Sequence, residues 1–111
     1  MKEVRFINKL ALKEFKALPL HIQKRFALDL EAVCQGKKPF STLKHITESV
    51  GIGDIELIEN GRSAYQTIYV AKFEGVMYVL YSFTKTTNGV DRQAMDTAKK
   101  RHKAMMTELK K

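Results

Sequence analysis

The stretch AYQTIYVAKF at residues 64–73, followed by VMYVLYSFTK at residues 76–85, decides the fold of this chain. Both stretches are rich in β-branched and aromatic residues, and Glu74-Gly75 between them fits a two-residue turn, so they predict a β-hairpin. In the simplest register, Phe73 pairs with Val76 and Gln66 pairs with Phe83. Strict alternation then gives one face the following residues: Gln66, Ile68, Val70, Met77, Val79, Tyr81, Phe83 and Lys85. Because both faces are largely apolar, we expect helices to cover both in part.

The segments before the hairpin predict a strand and two helices. The alternating residues 3–6 indicate a short first strand. Asn8 can N-cap a helix that runs to about Leu18, with a buried stripe of Leu12, Phe15 and Leu18. Pro19 suits the first turn of a second helix, and Gly36 suits its end. Two such helices in succession form a helical hairpin.

The remaining segments complete the predicted fold. Residues 42–46 suggest a helical turn, residues 55–59 a strand, and Asn60-Gly61 a turn. Asp91 can N-cap a final helix that runs to about Leu109, with its buried stripe formed by Ala94, Ala98, Met105 and Leu109. The predicted order is β-α-α-β-β-β-α in a single domain spanning residues 1–111. This is an α+β fold with a small, mostly antiparallel sheet.

Composition places the chain among ordinary globular proteins, with 111 residues, 44% hydrophobic and 29% charged. No apolar run approaches the roughly 18 residues that span a bilayer, and the N-terminus lacks a signal-peptide pattern, so we expect a cytoplasmic protein without a membrane partner. The single cysteine, Cys34, cannot form an intrachain disulfide, and its place in an amphipathic helix favours a buried structural thiol.

The net charge of +8 is concentrated at the two ends of the chain. Residues 1–38 carry nine basic and four acidic residues, and residues 99–111 carry six basic and one acidic. Such a distribution favours a polyanion or an acidic protein as partner. The alternative is a solvated basic surface that serves solubility.

Four segments, in this order, resemble the HigB branch of the RelE/ParE superfamily, the phage-related toxins of toxin–antitoxin pairs. They are Glu56-Leu57-Ile58, Tyr65-Gln66-Thr67-Ile68-Tyr69, Val79-Leu80-Tyr81-Ser82-Phe83-Thr84-Lys85-Thr86-Thr87 and Ala98-Lys99-Lys100-Arg101. Ile58 and Gln66 stand where the family has arginine. Tyr81 stands in place of its histidine and Thr86 in place of its second lysine, whereas Lys85 and Arg101 match.

The resemblance implies a RelE-like fold and cleavage of mRNA on the ribosome by the RNA's own 2′-hydroxyl, without a metal or other cofactor. The candidate catalytic residues are Lys85, Tyr81 and Arg62. The candidate RNA-binding residues are Gln66, Lys99, Lys100 and Arg101. The implied partners are the ribosome, mRNA and a helix-turn-helix antitoxin in a toxin–antitoxin hetero-oligomer. The scattered histidines likewise lack metal-ligand spacing.

Other interpretations stay open. The missing arginines favour a gyrase poison of the ParE type, or an inactive phage-derived relative that retains only antitoxin binding. At single positions, Arg62 suits a solvated turn and Tyr81 suits the core. Arg101 can pair with an acid such as Glu56 or Glu59 instead of holding a phosphate.

Overall fold

The structure is a computed structural model that describes residues 2–46, 53–59, 64–85 and 91–109. Arg62, Thr86 and the predicted turn at Asn60-Gly61 lie outside the described residues. The elements are β1 (Glu3–Phe6), α1 (Lys9–Lys16), α2 (Leu20–Cys34), β2 (Thr42–His45), β3 (Asp54–Glu59), β4 (Ala64–Val70), β5 (Val76–Lys85) and α3 (Arg92–Leu109).

In the described residues, five strands form one mixed sheet with the order β1-β5-β4-β3-β2. Among the strand pairs described, only β1–β5 is parallel, so the expected α+β fold with a mostly antiparallel sheet is confirmed. The helical turn predicted at residues 42–46 is wrong. That segment is β2, in which Leu43 pairs with Leu57 and Lys44 with Glu56. Pairing with β3, the next strand along the chain, overrides the weak local preference of so short a segment.

A β-bulge divides the β4–β5 hairpin into two registers. The predicted pairing of Gln66 with Phe83 is confirmed, and it continues to Ile68 opposite Tyr81. Tyr69 then lies opposite Val79, so β5 contains one extra residue between these pairs. Beyond the bulge the alternation is reversed. The predicted positions of Met77 and Val79 on the Gln66 face are therefore wrong.

Helices cover both faces of the sheet, as the apolar hairpin predicted. We call the face packed against the first two helices the α2 face; its core residues are Phe15, Leu18, Ile22, Phe26, Leu30, Cys34, Leu57, Tyr69, Met77 and Val79. The opposite face is the α3 face, with Ile46, Ile68, Val70, Tyr78, Leu80, Phe83, Ala94, Ala98 and Met105. Most of the site residues described below lie on the α3 face.

The helix ends agree with their local sequence signals. Asn8 Oδ1 accepts the Ala11 N–H at 2.8 Å, and Asp91 Oδ1 accepts the Ala94 N–H at 3.0 Å. Gly36 follows α2 with a φ of 78°, which glycine adopts without steric cost.

Two predicted stripe residues are nevertheless misplaced. Leu12 and Leu109 are exposed, whereas Ala11 and Arg101 are buried. Alpha1 turns a different side toward the sheet than hydrophobicity alone indicated, because Ala11 is small enough to approach the strands closely.

Candidate functional site

Three of the predicted site residues lie on the α3 face, near the end of β5. Gln66 is buried and lies opposite Phe83, while Tyr81 and Lys85 flank Phe83 at alternate positions of β5. Alternate residues of a strand share one face, so Gln66, Tyr81 and Lys85 point to the same side of the sheet. The structure therefore brings these three together, as the hairpin register predicted.

Tyr81 is held between an aromatic ring and a cation. Its ring stacks on Phe83 with centroids 4.9 Å apart and 19° between planes, and the Arg101 guanidinium lies 5.0 Å from the Tyr81 centroid. Burial raises the pKa of the Tyr81 phenol; the charges of Glu14 and Asp91 act in the same direction, and Arg101 opposes them. The phenol thus stays protonated at neutral pH and can act as a hydrogen-bond or proton donor.

Arg101 is engaged in a network that joins three elements. Its two terminal nitrogens donate to the two Glu14 oxygens at 2.5 and 2.9 Å, and one also donates to the Leu80 carbonyl at 2.9 Å. From the sequence, Arg101 was expected to hold a phosphate or to pair with Glu56 or Glu59. In the structure, the acid that it pairs with is Glu14 of α1. Contact of Arg101 with RNA would require this buried, bidentate pair to open.

Glu56 belongs to the same region, although the sequence indicated it only as part of a motif and as a partner for Arg101. It lies opposite Ile68 of β4 and Lys44 of β2, so it shares the α3 face. The residue is 5% exposed, and its Oε2 has no hydrogen-bond partner in the described part of the chain. Burial raises the pKa of this carboxyl, and Asp91 adds to the effect, whereas Lys44 and Lys85 lower it.

We call Glu56, Gln66, Tyr81 and Lys85 the Glu56 cluster. It combines a carboxyl with a raised pKa, an amide, a phenol and an ammonium group on one sheet face. Ionisable groups with perturbed pKa values concentrate at functional sites. A sequence signal for Glu56 did exist, because β3 alternates with Ile55 and Leu57 on the other face.

A cavity adjoins Tyr81 at the edge of β5. Its volume is ≈ 330 Å³, and its lining consists of Glu14, Ala17, Leu18, Tyr81, Ser82, Phe83 and Thr84. Alpha1 lies along this edge beyond the point where β1 ends, since β1 pairs only with residues 76–79. The cavity therefore gives access to the Tyr81 and Phe83 rings from the side of α1.

Two further predicted residues, Lys99 and Lys100, lie apart from the Glu56 cluster. Lys99 and Lys100 are on the exposed side of α3, whose buried side carries Ala94, Ala98, Arg101 and Met105. Arg62 lies outside the described residues. Among the described residues, no group of three or more histidine, cysteine, aspartate or glutamate side chains could hold a metal ion. None of the helices described is both long and apolar enough to cross a bilayer.

The chain was compared with protein-family models and with the curated proteins. Residues 13–103 match the family described as phage-derived protein Gp49-like (DUF891). The matched region contains the Glu56 cluster, Arg101 and Glu14, and it covers well over half of the chain. A search of the curated proteins found no match. The chain therefore belongs to the Gp49-like family of phage-derived proteins, a RelE- and toxin-like family.

Proposed function

We propose that this protein is the toxin of a type II toxin–antitoxin system and that it inhibits translation by cutting mRNA on the ribosome, as HigB-like toxins do. The observation that carries the proposal is the Glu56 cluster, which lies within the region matched to the Gp49-like family. The family supplies the toxin-like context, and the cluster supplies groups of the right chemistry.

Cleavage of RNA by its own 2′-hydroxyl requires a proton acceptor, a cation near the phosphate and a proton donor for the leaving 5′-oxygen. Glu56, in its ionised form, is the acceptor, because a carboxyl with a raised pKa is a stronger base than an exposed one. Lys85 is the cation. Tyr81, whose pKa is raised, is the donor or a surface on which a base stacks.

The absence of two family arginines lowers the rate of RNA cleavage that we expect. Ile58 and Gln66 occupy positions where HigB-like proteins carry arginine, and both lie in the sheet, paired with each other across β3 and β4. By analogy with oxyanion donors, each lost cation removes about 3 kcal/mol of transition-state stabilisation. Gln66 can donate hydrogen bonds to a phosphate but supplies no charge. We therefore expect a slower nuclease than an arginine-bearing relative.

The outer side of α3 is the proposed contact with ribosomal RNA or mRNA. Lys99 and Lys100 are exposed there, and six of the last thirteen residues are lysine or arginine. Such contacts position a nucleic acid without reading its sequence. Arg101 has a different role in this scheme, because its contacts with Glu14 and Tyr81 hold the phenol in place.

The test is a reconstituted translation reaction in which mRNA ends are mapped with and without ribosomes. We expect cuts only when ribosomes are present, and we expect Lys85→Ala and Glu56→Gln to abolish them while remaining folded. Lys72→Ala removes an exposed lysine outside the cluster and is the matched control for Lys85→Ala. Intact mRNA with well-folded wild-type protein would reject the nuclease proposal.

The proposed cellular partner is a helix-turn-helix antitoxin that binds this basic protein in a hetero-oligomer. Charge supports it, since a chain of net charge +8 attracts an acidic segment. Co-purification with the product of the adjacent gene tests this point. A neighbour with no affinity for the protein would count against it.

A second candidate is a gyrase poison of the ParE type, which the replacement of two arginines by Ile58 and Gln66 favours. It predicts gyrase-dependent DNA breaks with intact mRNA. A purified gyrase cleavage assay, run beside the translation assay, separates the two functions.

A further inference from the structure

The last strand of the sheet, β2, has features of a binding surface that the proposed nuclease does not use. Beta2 is the terminal strand in the sheet order, and all four of its residues are exposed. In the described part of the chain, no strand pairs with its outer edge. An open edge presents unpaired backbone N–H and C=O groups to which another strand can add.

The residues immediately before β2 are held in place by the buried side chain of Asp29. Asp29 of α2 is fully buried, and its Oδ1 accepts the N–H groups of Phe40 at 2.7 Å and Ser41 at 3.2 Å. Arg25 of the same helix lies 3.4 Å from the Ser41 hydroxyl. Because these contacts fix the residues immediately before β2, the strand is ordered before any partner arrives, which lowers the entropic cost of binding.

Apolar side chains lie exposed beside this edge. Phe40, immediately before β2, is 75% exposed, and Leu43 within β2 is 38% exposed. Leu43 lies opposite Leu57, a core residue of the α2 face, so its side chain belongs to that side of the sheet. Single exposed apolar residues are common, but two beside one open strand favour an interaction surface.

The positive charge around the open edge of β2 favours one kind of binding partner over others. Lys37, Lys38 and Lys44 are exposed, and residues 37–45 contain no aspartate or glutamate. A second copy of this chain, added strand to strand, would bring three lysines of each copy to one seam, and like charges on opposed strands repel. A single-stranded RNA would use the lysines and Phe40, but it would leave the strand edge and Leu43 unused.

We propose that β2 and the apolar side chains of Phe40 and Leu43 bind an extended segment of another protein that alternates acidic and apolar residues and adds to the sheet as a sixth strand. The acidic side chains pair with the lysines, and the apolar ones cover Leu43 and Phe40. This surface is distinct from the Glu56 cluster, so the proposal stands whether or not the protein cuts RNA.

The test uses the full-length protein and a short synthetic peptide that alternates valine and glutamate, with a valine–lysine peptide as its matched control. We expect the glutamate peptide to bind at least about tenfold more tightly and to slow amide exchange at Thr42–His45. The variant Phe40→Glu/Leu43→Glu should weaken binding by about tenfold or more. Leu10→Glu/Leu20→Glu changes two exposed leucines elsewhere and should bind as the wild type does.

Three results would overturn the proposal. They are equal binding of both peptides, protection from exchange at residues outside β2, and no binding of the glutamate peptide up to the solubility limit. Displacement of the bound peptide by a short oligouridine at equal concentration would instead identify this edge as an RNA-binding surface and would also reject the protein partner.

Discussion

At the scale of the residue, Glu56 has opposite consequences for stability and for the proposed chemistry. Burial raises its pKa above the usual value of 4.5, so the folded state binds more protons than the unfolded state. Its contribution is most favourable below pH 4.5 and is lost as pH rises through the raised pKa. The carboxylate that would serve as a base is therefore a source of instability at neutral pH.

This opposition gives a prediction for Glu56→Gln. The wild type should lose more unfolding free energy between pH 4 and pH 7 than the variant, because the amide does not ionise. Denaturant titrations at both pH values measure the difference. Ribosome-dependent cleavage should fall by about 10²-fold or more in the same variant. A variant that keeps both full cleavage and the wild-type pH dependence would show that Glu56 is neither the base nor the titrating group.

Arg101 gives a second prediction at this scale. Arg101→Met leaves Glu14 without its partner in a partly buried position and should cost about 3 kcal/mol in unfolding free energy. The double variant Glu14→Leu/Arg101→Met should recover most of that loss, because no unpaired charge remains. Urea denaturation of the wild type, of the single variants Arg101→Met and Glu14→Leu and of the double variant completes the double-mutant cycle. If the folded double variant binds RNA as well as the wild type, Arg101 is a structural residue and not a phosphate ligand.

At the scale of the element, the helix caps and the bulge determine where the site residues point. Asp91 caps α3 through the Ala94 N–H, and its charge also raises the pKa values of Glu56 and Tyr81. The bulge in β5 leaves Tyr81 in register with Ile68 while Val79 turns to the α2 face. One extra residue thus places Leu80 and Tyr81, which are consecutive in β5, both on the α3 face.

Asp91 and Asn8 form a matched pair for a cap prediction. Each accepts the N–H three residues ahead, so Asp91→Ala and Asn8→Ala should each lower the unfolding free energy by about 1 kcal/mol. Asp91→Ser should retain most of the cap but remove the charge, which lowers the pKa of the Tyr81 phenol; spectrophotometric titration measures that shift. An unchanged phenol titration in Asp91→Ser would exclude Asp91 as an electrostatic influence on Tyr81.

At the scale of the whole molecule, the net charge of +8 favours association of this protein with polyanions. Lysines on the outer side of α3 make few contacts with the core, so their role is electrostatic. Counterion release makes such binding weaken steeply with salt. The two layers of helix around one sheet keep the basic surface and the Glu56 cluster in fixed relation.

Lys99→Ala/Lys100→Ala should therefore leave the unfolding free energy within about 0.5 kcal/mol of wild type. It should reduce the slope of log affinity for single-stranded RNA against log salt by about 0.7 for each lysine that contacts a phosphate. Fluorescence anisotropy over a salt series measures this slope. Lys9→Ala/Lys13→Ala removes the same charge from α1 and is the control. Equal slopes in both variants would mean that net charge, not the α3 surface, controls binding.

The sequence by itself determined the elements with strong local signals. Asn8, Gly36 and Asp91 marked helix ends, and the aromatic and β-branched residues of β4 and β5 marked the hairpin and the pairing of Gln66 with Phe83. These signals depend on residues a few positions apart, so they can be read from the chain. From the motifs it also indicated a phage-related, toxin-like protein, and the match to residues 13–103 shows the Gp49-like family of phage-derived proteins. The HigB-like assignment stays a prediction.

Only the tertiary structure decided which residues meet across the chain. Residues 42–45 became a strand because β3 was available to pair with them, and the bulge in β5 appears only in its pairing with β4. Arg101 and Glu14 are 87 positions apart, and Glu56 is buried on the α3 face between strands that become its neighbours only in the folded sheet. Such contacts depend on the packing of whole elements, and no local pattern encodes them.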